Sequence, residues 1–280
     1  MPATPISSAL MSPPPVFWRD AAMPWLELRT VHDGRTVCYA PHTHETFSIG
    51  AITGGHSVYI NGAQRRNVAT GDIVLINPEQ VHACNPLTDS AWAYHMFYVD
   101  SAWLAGLQHD LGFNPDADFQ PFATTLTAIP SLFAGLTRLA TTLHERQPDL
   151  LLRQSQAVAF FSDLQLALNP APQPRKAVNH KLQRAADLIR EQYAQALTLE
   201  QLCAAAELSA THLIRSFKQH FGLTPHAYLT NRRIQVSRTR LRQGDAIAEV
   251  ALAVGFADQA HLQRAFKQMM ATTPGHYRAA

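Results

Sequence analysis

Residues 41–50 read PHTHETFSIG. His42 and His44 stand one residue apart, and strand side chains alternate with a period of two, so both imidazoles face one side. Such a pair presents two metal ligands, or two hydrogen-bonding groups, to one pocket. Glu45 follows directly and therefore faces the opposite side. A second constellation lies far along the chain. Leu213 and Phe217 are four residues apart, as are Leu262 and Phe266; Arg215 and Lys218, like Arg264 and Lys267, are three apart. On helices these sort onto two faces, an apolar one that fixes the helix and a basic one that can meet a polyanion. Arginine can bond bidentately to guanine O6 and N7, whereas lysine suits phosphates.

The elements that must position these groups differ in period. Over residues 35–99, FSIGAITGG, HSVYI, NVATGDIVLINP and WAYHMFYV are short, β-branched or aromatic, and broken by Gly, Asn and Pro. They read as closely spaced antiparallel strands of a small sandwich or barrel. Asn61-Gly62 predicts a tight hairpin of type I′, and Gly71-Asp72 another turn. From Ser101 the period becomes helical: SAWLAGLQHDLG, IPSLFAGLTRLATTLHERQ and DLLLRQSQAVAFFSDLQLAL repeat apolar residues at helical spacing. These should pack on the strands or on a second copy of themselves. NPAPQPRKAVNHK reads as a linker, and helices fill almost everything from Leu182 to Tyr277. The start, MPATPISSALMSPPP, has neither a basic residue nor a long apolar stretch; it predicts a disordered tail rather than a secretory signal.

The expected organisation is a tail over 1–15, a β domain over 16–100, a helical dimerisation region over 101–168, a linker over 169–179 and an all-α domain over 180–280. Net charge divides the same way. Residues 1–174 hold 8 Lys and Arg against 14 Asp and Glu, while residues 175–280 hold 15 against 7. A basic half points to a polyanion. No apolar run approaches the ~18 residues a membrane span needs. Three scattered cysteines, Cys38, Cys84 and Cys203, build no disulfide framework, so a reducing cytoplasm is the expected compartment.

The basic half repeats itself. HLIRSFKQHFGLTPHAY at 212–228 and HLQRAFKQMMATTPGHY at 261–277 agree at nine of seventeen positions. Each copy follows a short helix and a tight turn, the helix-turn-helix pattern. Thr198 with Gln201 forms a capping-box signature, and Asp245 is the expected cap of the matching helix in the second unit. Gly255 supplies the left-handed residue that the second turn wants. Glu207 holds that place in the first, where a left-handed backbone costs about 1 kcal/mol relative to Gly. Between the units, PHAYLTNRRIQVSRTRLRQG is one arginine-rich helical segment. Eighteen such residues span roughly 27 Å, near the ~34 Å between successive major grooves on one face of DNA.

AAAELSATHLIRSFKQHFGLTPHAYL and IAEVALAVGFADQAHLQRAFKQMMATTPGHYR resemble the double helix-turn-helix domain of AraC-type bacterial transcription regulators. The likeness is strong over 180–278. It extends more loosely to 35–99, which resemble a cupin-type effector domain. It implies an α+β multidomain chain: an N-terminal cupin-like antiparallel β-barrel with following helices, then an all-α double helix-turn-helix domain. It also implies a cytoplasmic, sequence-specific DNA-binding regulator rather than an enzyme. Such a regulator would be an activator responding to a small molecule, a homodimer, and a partner of promoter DNA and RNA polymerase. Carried over residue by residue, the DNA-facing positions are Thr211, Ile214, Arg215 and Lys218 in the first recognition helix. In the second they are Gln259, His261, Gln263, Arg264 and Lys267. Ile214 can touch only a thymine methyl, so the second helix should carry more hydrogen-bonding readout.

The resemblance also adds a third histidine, His82, to His42 and His44. Metal-dependent cupin enzymes add a glutamate at a position held here by Ser48 or Ile49. Three imidazoles alone can hold zinc, so a metal-dependent cupin enzyme carrying a DNA-binding domain is the alternative. Hydrogen-bonded histidines on a barrel wall, or an effector site, are the others. The assignment made is an effector pocket of His42, His44, His82, Phe47 and Tyr94, with no catalytic residue, metal or cofactor.

Overall fold

The computed structural model describes residues 13–35, 37–87, 91–113, 118–145, 150–168 and 179–279, apart from the side chains of Leu151 and Thr211. Most of the expected tail (1–12) and of the expected linker (169–178) therefore lies outside the described residues.

Eight strands build the N-terminal layer: β1 (Val16–Trp18), β2 (Leu26–Val31), β3 (Phe47–Asn61), β4 (Gln64–Ala69), β5 (Ile73–Ile76), β6 (His82–Pro86), β7 (Trp92–Val99) and β8 (Leu126–Thr127). Their order is β1-β2-β7-β3-β5-β8, with β4 and β6 also paired to β3, and every pairing is antiparallel. The long β3 serves two sheets. Its first half pairs with β5 and β7, its second with β4 and β6. A register shift between Ile52 and Gly54 separates the halves, and such a bulge bends a strand and strengthens its twist. The bend folds β6 over β5 and β7 and encloses a cavity. At the β3–β4 loop only Gly62 takes a positive φ, 57°, while Asn61 stays in the ladder opposite Gln64. The hairpin is thus the Gly-first kind rather than the expected Asn-Gly type I′.

Three helices, α1 (Ser101–Asp110), α2 (Pro130–His144) and α3 (Leu150–Leu168), follow. Period 2 on β3 decides what they cover: Phe47, Ile49 and Ala51 share one core with Leu104, Leu136 and Phe161. The stretch 101–168 is therefore part of the β domain, not a separate helical region, and β8 within it extends the sheet beside β5. Of the two packing partners expected for these helices, the strands take their buried faces.

The C-terminal half comprises α4 (His180–Glu191), α5 (Leu199–Ala206), α6 (Ala210–Phe221), α7 (Pro225–Arg242), α8 (Ile247–Ala253), α9 (Gln259–Met270) and α10 (Pro274–Ala279). The pairs α5–α6 and α8–α9 are two helix-turn-helix units with separate cores, one around Leu213 and Phe217, the other around Leu262 and Phe266. The capping box at Thr198 forms as expected. Glu207 is left-handed (φ 52°, ψ 45°), and its carboxylate meets Lys181 and Arg184 at 3.6 and 3.0 Å. Gly255 has φ 90°, and a Cβ there would sit 2.6 Å from the Ala194 carbonyl oxygen, so the second turn admits only glycine. Asp245 does not cap α8. Ala246 occupies the N-cap without a side-chain bond, and the Asp245 carboxylate is drawn instead to Arg240 at 2.7 Å.

Candidate effector cavity and nucleic-acid interface

The cavity between the two sheets has about 20 Å³ of free space and is lined by His42, His44, His82, Tyr39, Tyr94 and Tyr98, with Trp92, Met96 and Cys84 behind them. Four of the five expected pocket residues are there. Phe47 is not: it points to the helix side, 5.1 Å from the Phe122 ring. Its odd spacing from His42 and His44 carries that information, because period 2 puts it on the opposite face. The same parity on β7 marks residues that the sequence reading did not assign to the pocket, since Trp92, Met96 and Tyr98 alternate with Tyr94 on one face.

The histidines are held by their own backbones. His42 and His82 form an antiparallel bridge, N–H to carbonyl in both directions at 3.1 and 3.0 Å, and their rings lie 4.4 Å apart. His42 Nδ1 lies 2.8 Å from the Ala40 carbonyl and His82 Nδ1 2.9 Å from that of Gln80. Carbonyls only accept, so both Nδ1 atoms carry the proton and both Nε2 atoms are left with a lone pair. Burial pushes His82 down to about 4. Burial, and then the neighbouring histidines, hold His42 and His44 well below the usual range. All three rings are neutral at physiological pH. Burial raises the Cys84 thiol to about 12 and keeps it protonated.

Residues of the same segment that face away from the cavity grip the C-terminal half. Thr43 N–H donates to Asn231 Oδ1 (3.1 Å), and Asn231 Nδ2 donates to Thr43 Oγ1 (2.8 Å). Glu45 pairs with Arg232. Tyr98 stands between the two systems: its ring meets His44 edge-on at 5.0 Å, and the Arg238 guanidinium lies 5.0 Å from its centroid. Beside it Glu27 on β2, 2% exposed, accepts from Arg19 (2.8 Å), Arg238 (3.2 Å), Arg242 (3.4 Å) and the Tyr277 hydroxyl (3.0 Å). Burial alone would raise its pKa, but Arg238, Arg19 and Arg242 outweigh it and hold the carboxyl below its ordinary value.

Both recognition helices touch the β domain at their C-terminal ends. Arg29, fully buried, donates to the Met270 carbonyl at 2.6 Å, and Ala40 N–H to that of Gln268 at 3.0 Å. A cation placed there complements the negative end of α9. Burial favours a neutral Arg29, yet the phenols of Tyr39, Tyr94 and Tyr98 keep it charged. At the end of α6, Gly222 is left-handed (φ 76°), and a Cβ on it would come within 2.8 Å of Val81. None of Glu27, Arg29, Thr43 or Val81 was singled out by sequence, because each depends on a partner more than 140 residues away.

The opposite faces of these helices are open. Ile214, Arg215 and Lys218 on α6 are exposed, as are Gln259, His261, Gln263, Arg264 and Lys267 on α9. Thr211 falls in the first turn of α6, and its side chain is outside the described residues. Leu213, Phe217, Leu262 and Phe266 are fully buried, so the two faces separate as the spacing predicted. In α9 the exposed polar residues start at the N-terminal turn, the part of a recognition helix that reaches base edges.

A barrel with a polar, enclosed cavity, docked against two basic helix-turn-helix units, defines a two-domain, ligand-binding transcription regulator. Models of the AraC-like ligand binding domain and of a helix-turn-helix domain match residues 27–208 and 202–280. The chain belongs to the AraC family of DNA-binding transcription regulators. It is 26% identical to the HTH-type transcriptional regulator YbfI of Bacillus subtilis over 79% of this chain and 80% of the relative. It is 35% identical to the regulator MtrA of Neisseria gonorrhoeae over 37% of this chain and 33% of that one. The HTH-type transcriptional activator RhaS of Klebsiella pneumoniae is 22% identical over 84% and 86%. Its fold is that of an apo variant of ToxT from Vibrio cholerae, with a TM-score of 0.59, 14% identity and coverage of 91% and 97%. No helix among the described residues is long and apolar enough to cross a membrane.

Proposed function

We propose that this chain is a ligand-responsive activator that reads two successive major grooves of a promoter operator. In that reading Arg264, with Gln259, His261 and Gln263, contacts base edges; Arg215 and Ile214 read the other groove; and Lys218 and Lys267 meet phosphates. The observation that carries the reading is the grip of the β domain on the C-terminal ends of both recognition helices, at Met270 and Gly222. A ligand in the cavity that prefers one arrangement of Thr43, Tyr98 and Arg29 changes how the two helices are presented, because a ligand shifts populations only by differential affinity. No catalytic step is assigned to the cavity. The regulator works in the cytoplasm with RNA polymerase as a homodimer, formed through α3, which exposes Val158 and Leu166.

Selection of DNA from a random pool by the purified chain tests this. Enrichment of two boxes about one helical turn apart, lost in Arg264→Ala, is expected. Equal retention of all sequences, with and without candidate ligands, would leave only a non-specific binder.

A further inference from the structure

We propose that His42, His44 and His82 bind a first-row divalent metal ion, such as Zn²⁺, and that this ion is the effector to which the cavity responds. The site stands on its own geometry; the effector role rests on the function proposed above. No metal was assigned from the sequence, where the carboxylate of metal-dependent cupins is missing. The fold supplies what that reading lacked. The three rings converge with one ligand nitrogen each, all within 4.8 Å of one another. A tetrahedral ion with bonds of about 2.1 Å needs nitrogens about 3.4 Å apart, so small ring rotations close the set.

Two further observations point to a metal rather than to ordinary core histidines. The first is orientation. Nδ1 of both His42 and His82 is tied to a backbone carbonyl, which fixes the tautomer and turns Nε2 towards the cluster. Ligating histidines are held in this way. Core histidines usually engage both nitrogens, and among the described residues no hydrogen bond reaches Nε2 of either ring or any part of the His44 ring. The second is size. A space of about 20 Å³ holds roughly one water, enough for an ion and one small ligand but not for a sugar or an aromatic acid. Neutral imidazoles suit zinc, copper, iron or nickel rather than magnesium or calcium. With Arg29 and Arg238 close by, the fourth position favours an anion such as hydroxide. The way out of the site is already built: His42 and His44 alternate with Thr43 and Glu45, which hold Asn231 and Arg232.

The test uses the purified full-length chain stripped with chelator, with Co²⁺ as probe. One equivalent should produce the intense visible d–d bands of a tetrahedral ion, displaced by Zn²⁺. The bands should vanish in His42→Gln and His82→Gln and persist in His95→Gln, whose ring lies outside the cluster. Should the two variants fail to fold, X-ray absorption of the Zn²⁺-loaded natural chain decides, with three imidazoles expected in the first shell. No stoichiometric binding, or a shell without imidazole, overturns the site. Affinity for DNA selected from the random pool should change at least about fivefold with Zn²⁺. Tight binding through the histidines with no such change overturns the effector role. A pool without any enriched sequence would instead strike at the proposed function and leave the site standing.

Discussion

Thr43 and Asn231 exchange two hydrogen bonds across the boundary between the β domain and α7, with both residues buried. Thr43 sits between His42 and His44, so the cavity wall and the domain contact share one stretch of backbone. Replacing Asn231 with Ala leaves the Thr43 N–H and hydroxyl without their amide, at a cost of about 1–3 kcal/mol. A double-mutant cycle with Thr43→Val, read by urea unfolding, should give a coupling of about 0.5–3 kcal/mol. Additive effects would mean that the pair does not couple the two halves.

Among the described residues, Glu27 is the shared carboxylate of Arg19, Arg238 and Arg242. Glu27→Gln leaves Arg238, 8% exposed, without its countercharge, and should cost about 3–5 kcal/mol, the range for breaking a buried pair from one side. The sign with acid follows from its lowered pKa. The stabilisation is fully present above the ordinary value of 4.5 and is lost as pH falls below it towards the folded value. Denaturant midpoints of both proteins between pH 7 and 3 measure this. They should converge at the acid end, and parallel curves would show that Glu27 is not the titrating group.

Arg264 and Lys267 are both exposed on α9 but are assigned different partners. Arg264→Ala should lower affinity for the selected operator by about 1–3 kcal/mol and relax one base preference. Lys267→Ala should weaken binding to all sequences alike and reduce the salt slope by about one. Competition binding across salt concentrations separates the two. A uniform loss in Arg264→Ala would remove it from the base-reading set.

His95 and His144 flank the Thr30 hydroxyl at 2.9 and 3.1 Å and tie β7 and β2 to α2. Burial, with His144 and His32 nearby, pushes His95 down to about 4. Burial, then His32 and Arg153, also lowers His144. The unfolded chain therefore binds more protons below pH 6.5. Stability contributed here is complete above 6.5 and declines as pH falls towards about 4. His95→Gln should flatten the dependence of the thermal midpoint on pH in that window, and an unchanged slope would place the titration elsewhere.

Sequence by itself determined what depends on local periodicity. The helical period, the duplicated HLxRxFKQ segment and the turn residues set two helix-turn-helix units, with Arg215, Lys218, Arg264 and Lys267 opposite Leu213, Phe217, Leu262 and Phe266. Period 2 put His42 and His44 on one face and Glu45 on the other, and the same rule would have removed Phe47 from the pocket. A matching segment gave His82, although nothing local shows that a strand 40 residues on comes back beside His42. Only the tertiary structure decided that His42 and His82 bridge, because the bend of β3 at Ile52–Gly54 lies between them in the fold. Only the tertiary structure, too, brought Glu27 to Arg238 and Arg29 to Met270. A buried charge needs its countercharge or acceptor at the burial site, and the chain supplies it from more than 200 residues away, where no spacing rule reaches.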